Sequence, residues 1–160
     1  MLNIALIPAR GGSKGLKRKN LKKINGLSLV RRAINSSKVD CVDKIIVSTD
    51  DNKIKDEAIK FGAEVPYLRS ATLSSDDAIA EDVIKQTIIK LEEIYDKKIN
   101  YLIYLEPTSP FRNKNHVKTA MNKMLESNFK SVVSVCKLER KPENIFIKSS
   151  SLTKFIIKPD

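Results

Sequence analysis

The chain has 160 residues, of which 41% are hydrophobic and 31% charged, with five glycines and six prolines. This balance suits one globular domain that buries its own core, and it excludes a fibrous or wholly disordered chain. The formal net charge of +11 predicts an anionic partner, which could be a nucleotide, a nucleic acid or a membrane surface.

Predicted strands and helices alternate along the chain. The strands are short apolar runs rich in β-branched or aromatic residues, and the helices repeat apolar residues every three or four positions. In chain order they are a strand at 2–7, helix 27–37, strand 44–49, helix 52–61, helix 77–95, strand 101–105, helix 115–127 and strand 131–136. This order predicts an α/β fold with a doubly wound, mostly parallel sheet covered by helices on both faces.

Several of the helix starts carry local signals. Asp50 and Asp51 end the second strand, and such an acid pair typically caps the next helix, so we do not assign it as a metal site. Ser74 and Asp77 have the spacing of a capping box. His116 lies near the start of the last helix and is interpreted as an exposed helix residue rather than a catalyst.

The cysteines and the hydrophobic runs bear on the cellular compartment. Cys41 and Cys136 match no metal-binding or redox spacing, which predicts two free thiols in a reducing compartment. No run approaches the roughly 20 apolar residues of a membrane helix, and residues 1–9 do not resemble a signal peptide. We therefore expect a cytoplasmic protein that does not bind a membrane.

The domain organisation is predicted from the same pattern. Residues 1–136 are expected to form one domain, and residues 137–160 a C-terminal arm. A strand-like segment at 155–157 suggests either a hairpin or an arm that needs further structure to pack on. In a parallel sheet, ligands bind beyond the carboxyl ends of the strands, where the loops after residues 7, 49 and 105 would meet.

The loop at residues 10–20 has the composition of a phosphate-binding loop. Residues 10–32 contain nine Lys or Arg and no acid, interleaved with glycines in the first part. Glycine-rich backbone can present an anion-binding nest of amides, and Arg10, Lys14 and Lys19 can add cationic side chains. Neither the Walker spacing nor the dinucleotide fingerprint fits. The alternative is an exposed basic loop.

The whole segment at residues 7–15, Ile-Pro-Ala-Arg-Gly-Gly-Ser-Lys-Gly, followed by Lys19 and Asn20, resembles the N-terminal signature of the acylneuraminate cytidylyltransferases. Further segments resemble that family in order. They are Ile-Val-Ser-Thr-Asp-Asp at 46–51, Gly-Ala-Glu-Val-Pro at 62–66, Leu68 and Arg69, Leu73 and Asp76, Leu-Glu-Pro-Thr-Ser-Pro-Phe-Arg at 105–112, and residues 131–135. The resemblance covers nearly the whole chain.

The resemblance implies a Rossmann-like, nucleotide-diphospho-sugar transferase-like domain. Such enzymes transfer CMP from CTP to the anomeric hydroxyl of an acidic nine-carbon sugar, N-acylneuraminate or a related nonulosonic acid, and release pyrophosphate. The resemblance also implies Mg²⁺ as the cofactor and a homodimer for a full-length protein. The implied site residues are Arg10, Lys14 and Lys19 as catalytic phosphate ligands; Ala9, Gly11, Gly12, Ser13, Asn20 and Arg69 for the nucleotide; and Glu106, Thr108, Ser109 and Arg112 for the sugar.

Two departures from the family pattern leave alternatives open. Glu106 replaces the usual Gln, and an ionised Glu only accepts hydrogen bonds, so the acceptor sugar is not determined. Glu106 could serve a different sugar, be neutralised by a basic neighbour, or be a buried ion-paired acid. The family's Arg-Pro-Asn-Gly-like and Asp-Ile-Asp segments are not found. A silent nucleotide-binding domain and another sugar nucleotidyltransferase therefore remain alternatives, whereas no motif supports nucleic-acid binding.

Overall fold

The computed structural model describes residues 1–126, 130–135, 146–148 and 153–155. The chain divides into two compact units, Met1–Asn128 and Phe129–Asp160. The elements are β1 (Leu2–Pro8), a 3-10 helix (Lys19–Leu21), β2 (Lys23–Ile24), β3 (Leu27–Ser28), α1 (Leu29–Ser37), β4 (Lys44–Ser48), α2 (Asn52–Lys60), α3 (Ala71–Ser74), α4 (Ala80–Tyr95), β5 (Ile99–Tyr104), α5 (Lys114–Leu125), β6 (Phe146–Lys148) and β7 (Thr153–Phe155). The domain boundary after residue 136 stays a prediction.

A three-stranded parallel sheet with the order β4-β1-β5 forms the centre of the first unit. In β1, Ile4, Ala5, Leu6 and Ile7 have no exposed surface, because this strand is paired on both sides and covered on both faces. Full burial explains why its sequence is a continuous apolar run rather than an alternating one.

Helices cover both faces of the sheet, as the doubly wound prediction requires. Successive residues of a strand point to opposite faces. Ala5 and Ile7 belong to a cluster that includes residues of α1, α2 and α5, whereas Ile4 and Leu6 belong to a second cluster with Leu91 of α4. The predicted α/β fold is confirmed.

A short parallel bridge extends the sheet beside β4. The Val47 amide donates to the Glu64 carbonyl over 2.9 Å, and the Glu64 amide donates to the Ile45 carbonyl over 2.8 Å. The Glu64 carboxylate accepts from Lys44 Nζ and from the Tyr95 hydroxyl, each over 2.6 Å. This bridge places the chain that continues to Arg69 next to the end of β4.

The predicted helix at 27–37 begins two residues later than expected. Leu27 and Ser28 form β3, which pairs with β2 across a turn whose residues Asn25 and Gly26 have φ angles of 49° and 77°. Asn-Gly is a strong signal for such a turn, which was not predicted. Ser28 then caps α1, with its side chain accepting from the Arg31 amide.

The predicted capping box at Ser74 and Asp77 is wrong. Ser74 ends α3, and α4 begins at Ala80 with Ile79 at its N-cap and no side-chain cap. The first turn of α4 instead carries Glu81 and Asp82, whose charge suits the positive end of a helix. The residues between α3 and α4 are held by contacts to the glycine-rich loop, described below.

The strand predicted over residues 131–136 is also wrong for its described part. Residues 131–135 are irregular and exposed, with Val135 92% accessible, and Cys136 lies outside the described residues. A strand requires a pairing neighbour, and the described residues provide none for this segment. In the same unit, β6 and β7 form an antiparallel pair, so the hairpin alternative is confirmed for residues 146–148 and 153–155.

The remaining expectations concern the last helix, Cys41 and the membrane. The helix predicted over 115–127 is confirmed as α5, where Asn113 and His116 form a reciprocal capping box and His116 is exposed. Cys41 is a free thiol. No helix among the described residues combines the length and apolar character that crossing a membrane requires.

Candidate functional site

Loops that follow the three parallel strands begin at the same edge of the sheet. The Ala9 amide donates to the Ser48 carbonyl, the Arg69 amide to the Thr49 carbonyl, and the Leu105 amide to the Leu6 carbonyl, over 2.8–2.9 Å. These bonds fix where each loop leaves the sheet. The carboxyl edge therefore carries the most distinctive polar segments of the sequence.

Gly11 lies directly against the acid pair that ends β4. Its amide donates to Asp50 Oδ1 over 2.8 Å, and a Cβ at Gly11 would stand 2.7 Å from the Cβ of Asp51. Glycine is required there because any side chain would displace Asp51. Asp51 itself caps α2 by accepting from the amides of Lys53 and Ile54, which confirms the predicted cap. The anchoring role of Asp50 was missed.

Asn20 closes the base of the loop. It is buried in the 3-10 helix, and its side-chain amide donates to the Arg10 carbonyl over 2.9 Å. Ala9 is fully buried in the core, and its amide is already bonded to Ser48. Gly12, by contrast, has no atom of the described residues within 4 Å of where a Cβ would be. The loop is therefore anchored at both ends with open space around its second glycine.

Two of the predicted phosphate ligands meet at one carboxylate. Arg10 Nη2 and Lys14 Nζ each lie 2.7 Å from a different oxygen of Asp76. Hydrogen bonding to Lys14 outweighs desolvation and, with Arg10, lowers the pKa of Asp76. Arg10 Nη1 also donates to the Ser75 carbonyl over 2.7 Å. No local sequence pattern indicates this contact, because the partners are more than 60 residues apart in the chain.

Arg69 brings a buried positive charge to the same edge. Its side chain is only 8% exposed, and its Nε has no hydrogen-bond partner among the described residues. Burial lowers the pKa of this guanidinium, and the nearby Asp50 carboxylate opposes the shift. A buried donor without a partner is costly unless something binds it, so Arg69 is a candidate ligand-binding residue.

The loop after β5 is organised around the Glu106 backbone. The Glu106 carbonyl accepts from Arg112 Nη2 over 2.6 Å and from the Ser109 amide over 3.3 Å. Thr108 Oγ1 donates to Glu106 Oε2 over a long 3.4 Å. The Glu106 side chain is exposed and forms no ion pair with the described residues, so the buried ion-paired alternative is excluded.

Arg112 and Arg32 complete this loop. Arg112 Nη1 is buried without a partner among the described residues, and burial lowers the pKa of the guanidinium while Glu106 opposes the shift. Arg32 donates to the Pro110 carbonyl over 3.3 Å and to the Ile24 carbonyl over 2.7 Å. Arg32 thus ties the loop to the β2-β3 hairpin, a role that its place in the predicted helix did not reveal.

The structure brings the predicted site residues together in part. Asn20 donates to the Arg10 carbonyl, the neighbouring Gly11 donates to Asp50, and Lys14 and Arg10 meet at Asp76. Gly12, Ser13 and Lys19 belong to the same segment. No group of three or more His, Cys, Asp or Glu side chains among the described residues could hold a metal ion.

Comparison with known proteins identifies the family of this chain. The cytidylyltransferase family model matches residues 4–155. The chain is 36% identical over 140 residues to the CMP-N,N'-diacetyllegionaminic acid synthase of Legionella pneumophila, covering 87% of this chain and 60% of that protein. It is 34% identical over 143 residues to the pseudaminic acid cytidylyltransferase of Campylobacter jejuni, with the same coverage. The chain thus spans about 60% of the length of these relatives.

Two solved structures share the fold. A CMP:2-keto-3-deoxy-manno-octonic acid synthetase complexed with CTP has a TM-score of 0.62 at 22% identity, covering 79% of this chain and 48% of that one. A cytidylyltransferase from Leptospira borgpetersenii has a TM-score of 0.57 at 19% identity, covering 80% of this chain and 51% of that one. The family match over most of the sequence shows that this chain belongs to the cytidylyltransferase family.

Proposed function

We propose that this chain binds CTP and transfers CMP to the anomeric hydroxyl of an acidic nine-carbon sugar, with release of pyrophosphate. The observation that carries the proposal is the Arg10–Asn20 loop, anchored at the carboxyl edge of the sheet in a member of the cytidylyltransferase family. Two relatives are named for legionaminic and pseudaminic acid, which supports an acceptor of the nonulosonic acid class.

The cationic side chains of the loop suit this reaction. The sugar hydroxyl loses its proton to solvent as its oxygen forms a bond to the α-phosphorus, and the bond from that phosphorus to the pyrophosphate oxygen breaks. Negative charge grows on the phosphate oxygens and on the leaving pyrophosphate. Arg10, Lys14 and Lys19 would neutralise this charge. Cations that are already in position when the charge develops do so without moving during the reaction. The Gly12 and Ser13 backbone would approach the phosphates, whereas Gly11 anchors the loop on Asp50.

The remaining predicted site residues would bind the nucleoside and the acceptor. The buried Arg69 and Asn20 would contact the cytidine, with the unpartnered Arg69 Nε as a donor. Thr108, Ser109 and Glu106 would contact sugar hydroxyls. The exposed Glu106 carboxylate repels the sugar carboxylate, so that carboxylate would be placed at Arg112, whose Nη1 has no partner among the described residues.

We further propose a divalent cation, Mg²⁺, as the cofactor and a homodimer as the assembly. Mg²⁺ usually binds through one or two carboxylates together with substrate phosphates and water. The described residues do not fit a metal centre made of protein ligands, and Asp51 is already engaged as a helix cap. The alternative function is nucleotide binding without turnover.

Thermal unfolding with added nucleotides tests the proposal. CTP with Mg²⁺ should raise the melting temperature of the chain more than ATP or GTP does. Lys14→Ala should weaken this response, and Lys17→Ala, which alters an exposed lysine of the same loop, is the matched control. A response without preference for CTP would reject the proposal. Pyrophosphate release with N-acylneuraminic, legionaminic or pseudaminic acid separates the enzyme from the silent binder.

A further inference from the structure

The carboxylate of Asp76 stands where the loop's cations would meet a phosphate. Its two oxygens are each 2.7 Å from one cation, Oδ1 from Arg10 Nη2 and Oδ2 from Lys14 Nζ. Arg10 is engaged a second time by the Ser75 carbonyl. A phosphate also has several anionic oxygens, and these can accept hydrogen bonds from the same Arg and Lys donors. A phosphate and Asp76 therefore compete for these donors.

The contact is strong enough to form and weak enough to open. The side chains of Arg10 and Asp76 are 35% and 39% exposed, and that of Lys14 is 80% exposed. Ion pairs with this much solvent contact contribute little to stability. A triphosphate carries more negative charge than one carboxylate, and it can therefore displace Asp76 from both cations.

The position of Asp76 in the chain allows such displacement. Asp76 lies between the end of α3 at Ser74 and the start of α4 at Ala80, in a segment without regular structure. Asp76 is exposed, and among the described residues its side chain contacts Arg10 and Lys14. Moving its side chain would therefore leave the sheet and both core clusters intact.

We propose that Asp76 is an internal counter-anion that closes the phosphate site when no nucleotide is bound and is displaced by the triphosphate. The proposal rests on the proposed function, since it takes Arg10 and Lys14 as phosphate ligands. The opposite role would be a fixed support that orients the two cations and stays in place. The two roles predict opposite effects of removing the Asp76 charge on phosphate affinity.

Calorimetric binding of CTP and of inorganic pyrophosphate at pH 7 to the 160-residue chain tests the proposal. Asp76→Asn removes the competitor and should tighten binding of both ligands about three- to tenfold, as expected for the loss of two exposed ion pairs. Asp77→Asn removes the same charge from the neighbouring exposed residue and should change affinity less than about twofold. Weaker or unchanged binding by Asp76→Asn would overturn the proposal.

The outcomes also separate this proposal from the proposed function. Tighter pyrophosphate binding by Asp76→Asn, without any preference of the chain for CTP, would support the counter-anion and reject the cytidylyltransferase function. A CTP preference with no gain in Asp76→Asn would do the reverse. In the unmodified chain, carbon NMR of the Asp76 carboxyl group gives a second measurement. Pyrophosphate should raise the pKa of Asp76 toward its ordinary value, and an unchanged pKa would overturn the proposal.

Discussion

The close approach of Gly11 to Asp51 predicts a large effect of one added methyl group. In Gly11→Ala the new Cβ would lie 2.7 Å from both the Cβ and Oδ2 of Asp51, so the Asp51 side chain must move. That movement removes the N-cap of α2, which lowers stability by about 1 kcal/mol, and the crowding lowers it by about 1–3 kcal/mol more. We expect a loss of about 2–4 kcal/mol in the free energy of unfolding and a melting temperature about 4–16 °C lower.

Gly12→Ala is the matched control, because no described atom lies within 4 Å of its Cβ position. Its free energy of unfolding should be within about 0.5 kcal/mol of the unmodified chain, while its CTP affinity falls if the phosphates approach this backbone. Chemical denaturation measures both variants. In an Asp51→Gly background, Gly11→Ala should cost almost nothing. Equal losses of stability in the two alanine variants, or a full loss in the Asp51→Gly background, would show that contact with Asp51 is not the cause.

Three further predictions concern the edge of the sheet and its support. Asn20→Ala leaves the Arg10 carbonyl without its partner and should lower the free energy of unfolding by about 1–2 kcal/mol in denaturant titrations. Arg69→Met replaces a buried guanidinium and should change stability by less than about 1 kcal/mol, while calorimetry shows CTP affinity falling at least about tenfold. Burial raises the pKa of Glu64, but the hydrogen bonds from Lys44 and Tyr95, with the charge of Lys44, together outweigh burial, so the net pKa is lowered. The ionised Glu64 therefore stabilises the fold above the unfolded pKa of about 4.3, and this stabilisation is lost as the pH falls through the lower folded pKa. Over that pH range, the melting temperature should fall less for Glu64→Gln than for the unmodified chain.

Strong local patterns predicted most of the fold. The apolar runs at β1, β4 and β5 form the three parallel strands, and β1 is buried because a central parallel strand must be apolar on both faces, whereas β5 is only partly buried. The Asp51 cap follows from an acid next to a helix start, as predicted, whereas the capping box of Asn113 and His116 was not predicted. The segment at 131–135 has strand-forming valines, but propensity does not supply a pairing partner, and these residues are exposed.

The candidate site was predictable where its residues are neighbours in the sequence. The loop that holds Arg10, Gly11 and Asn20 can be read as a phosphate loop from composition and resemblance. Its contacts to Asp50 and Asp76 come from distant parts of the chain, so their pairing depends on strand order and loop path. The start of α4 was misassigned for the same reason, since the residues before it are held by Arg10 rather than by a local cap.

A crystal structure of the chain with CTP would show whether the Arg10–Asn20 loop binds the triphosphate. We expect the triphosphate on that loop, with phosphate oxygens within hydrogen-bond distance of Arg10 and Lys14 and with the Asp76 carboxylate displaced. A well-ordered loop that remains bonded to Asp76 while CTP binds elsewhere on the chain would contradict it.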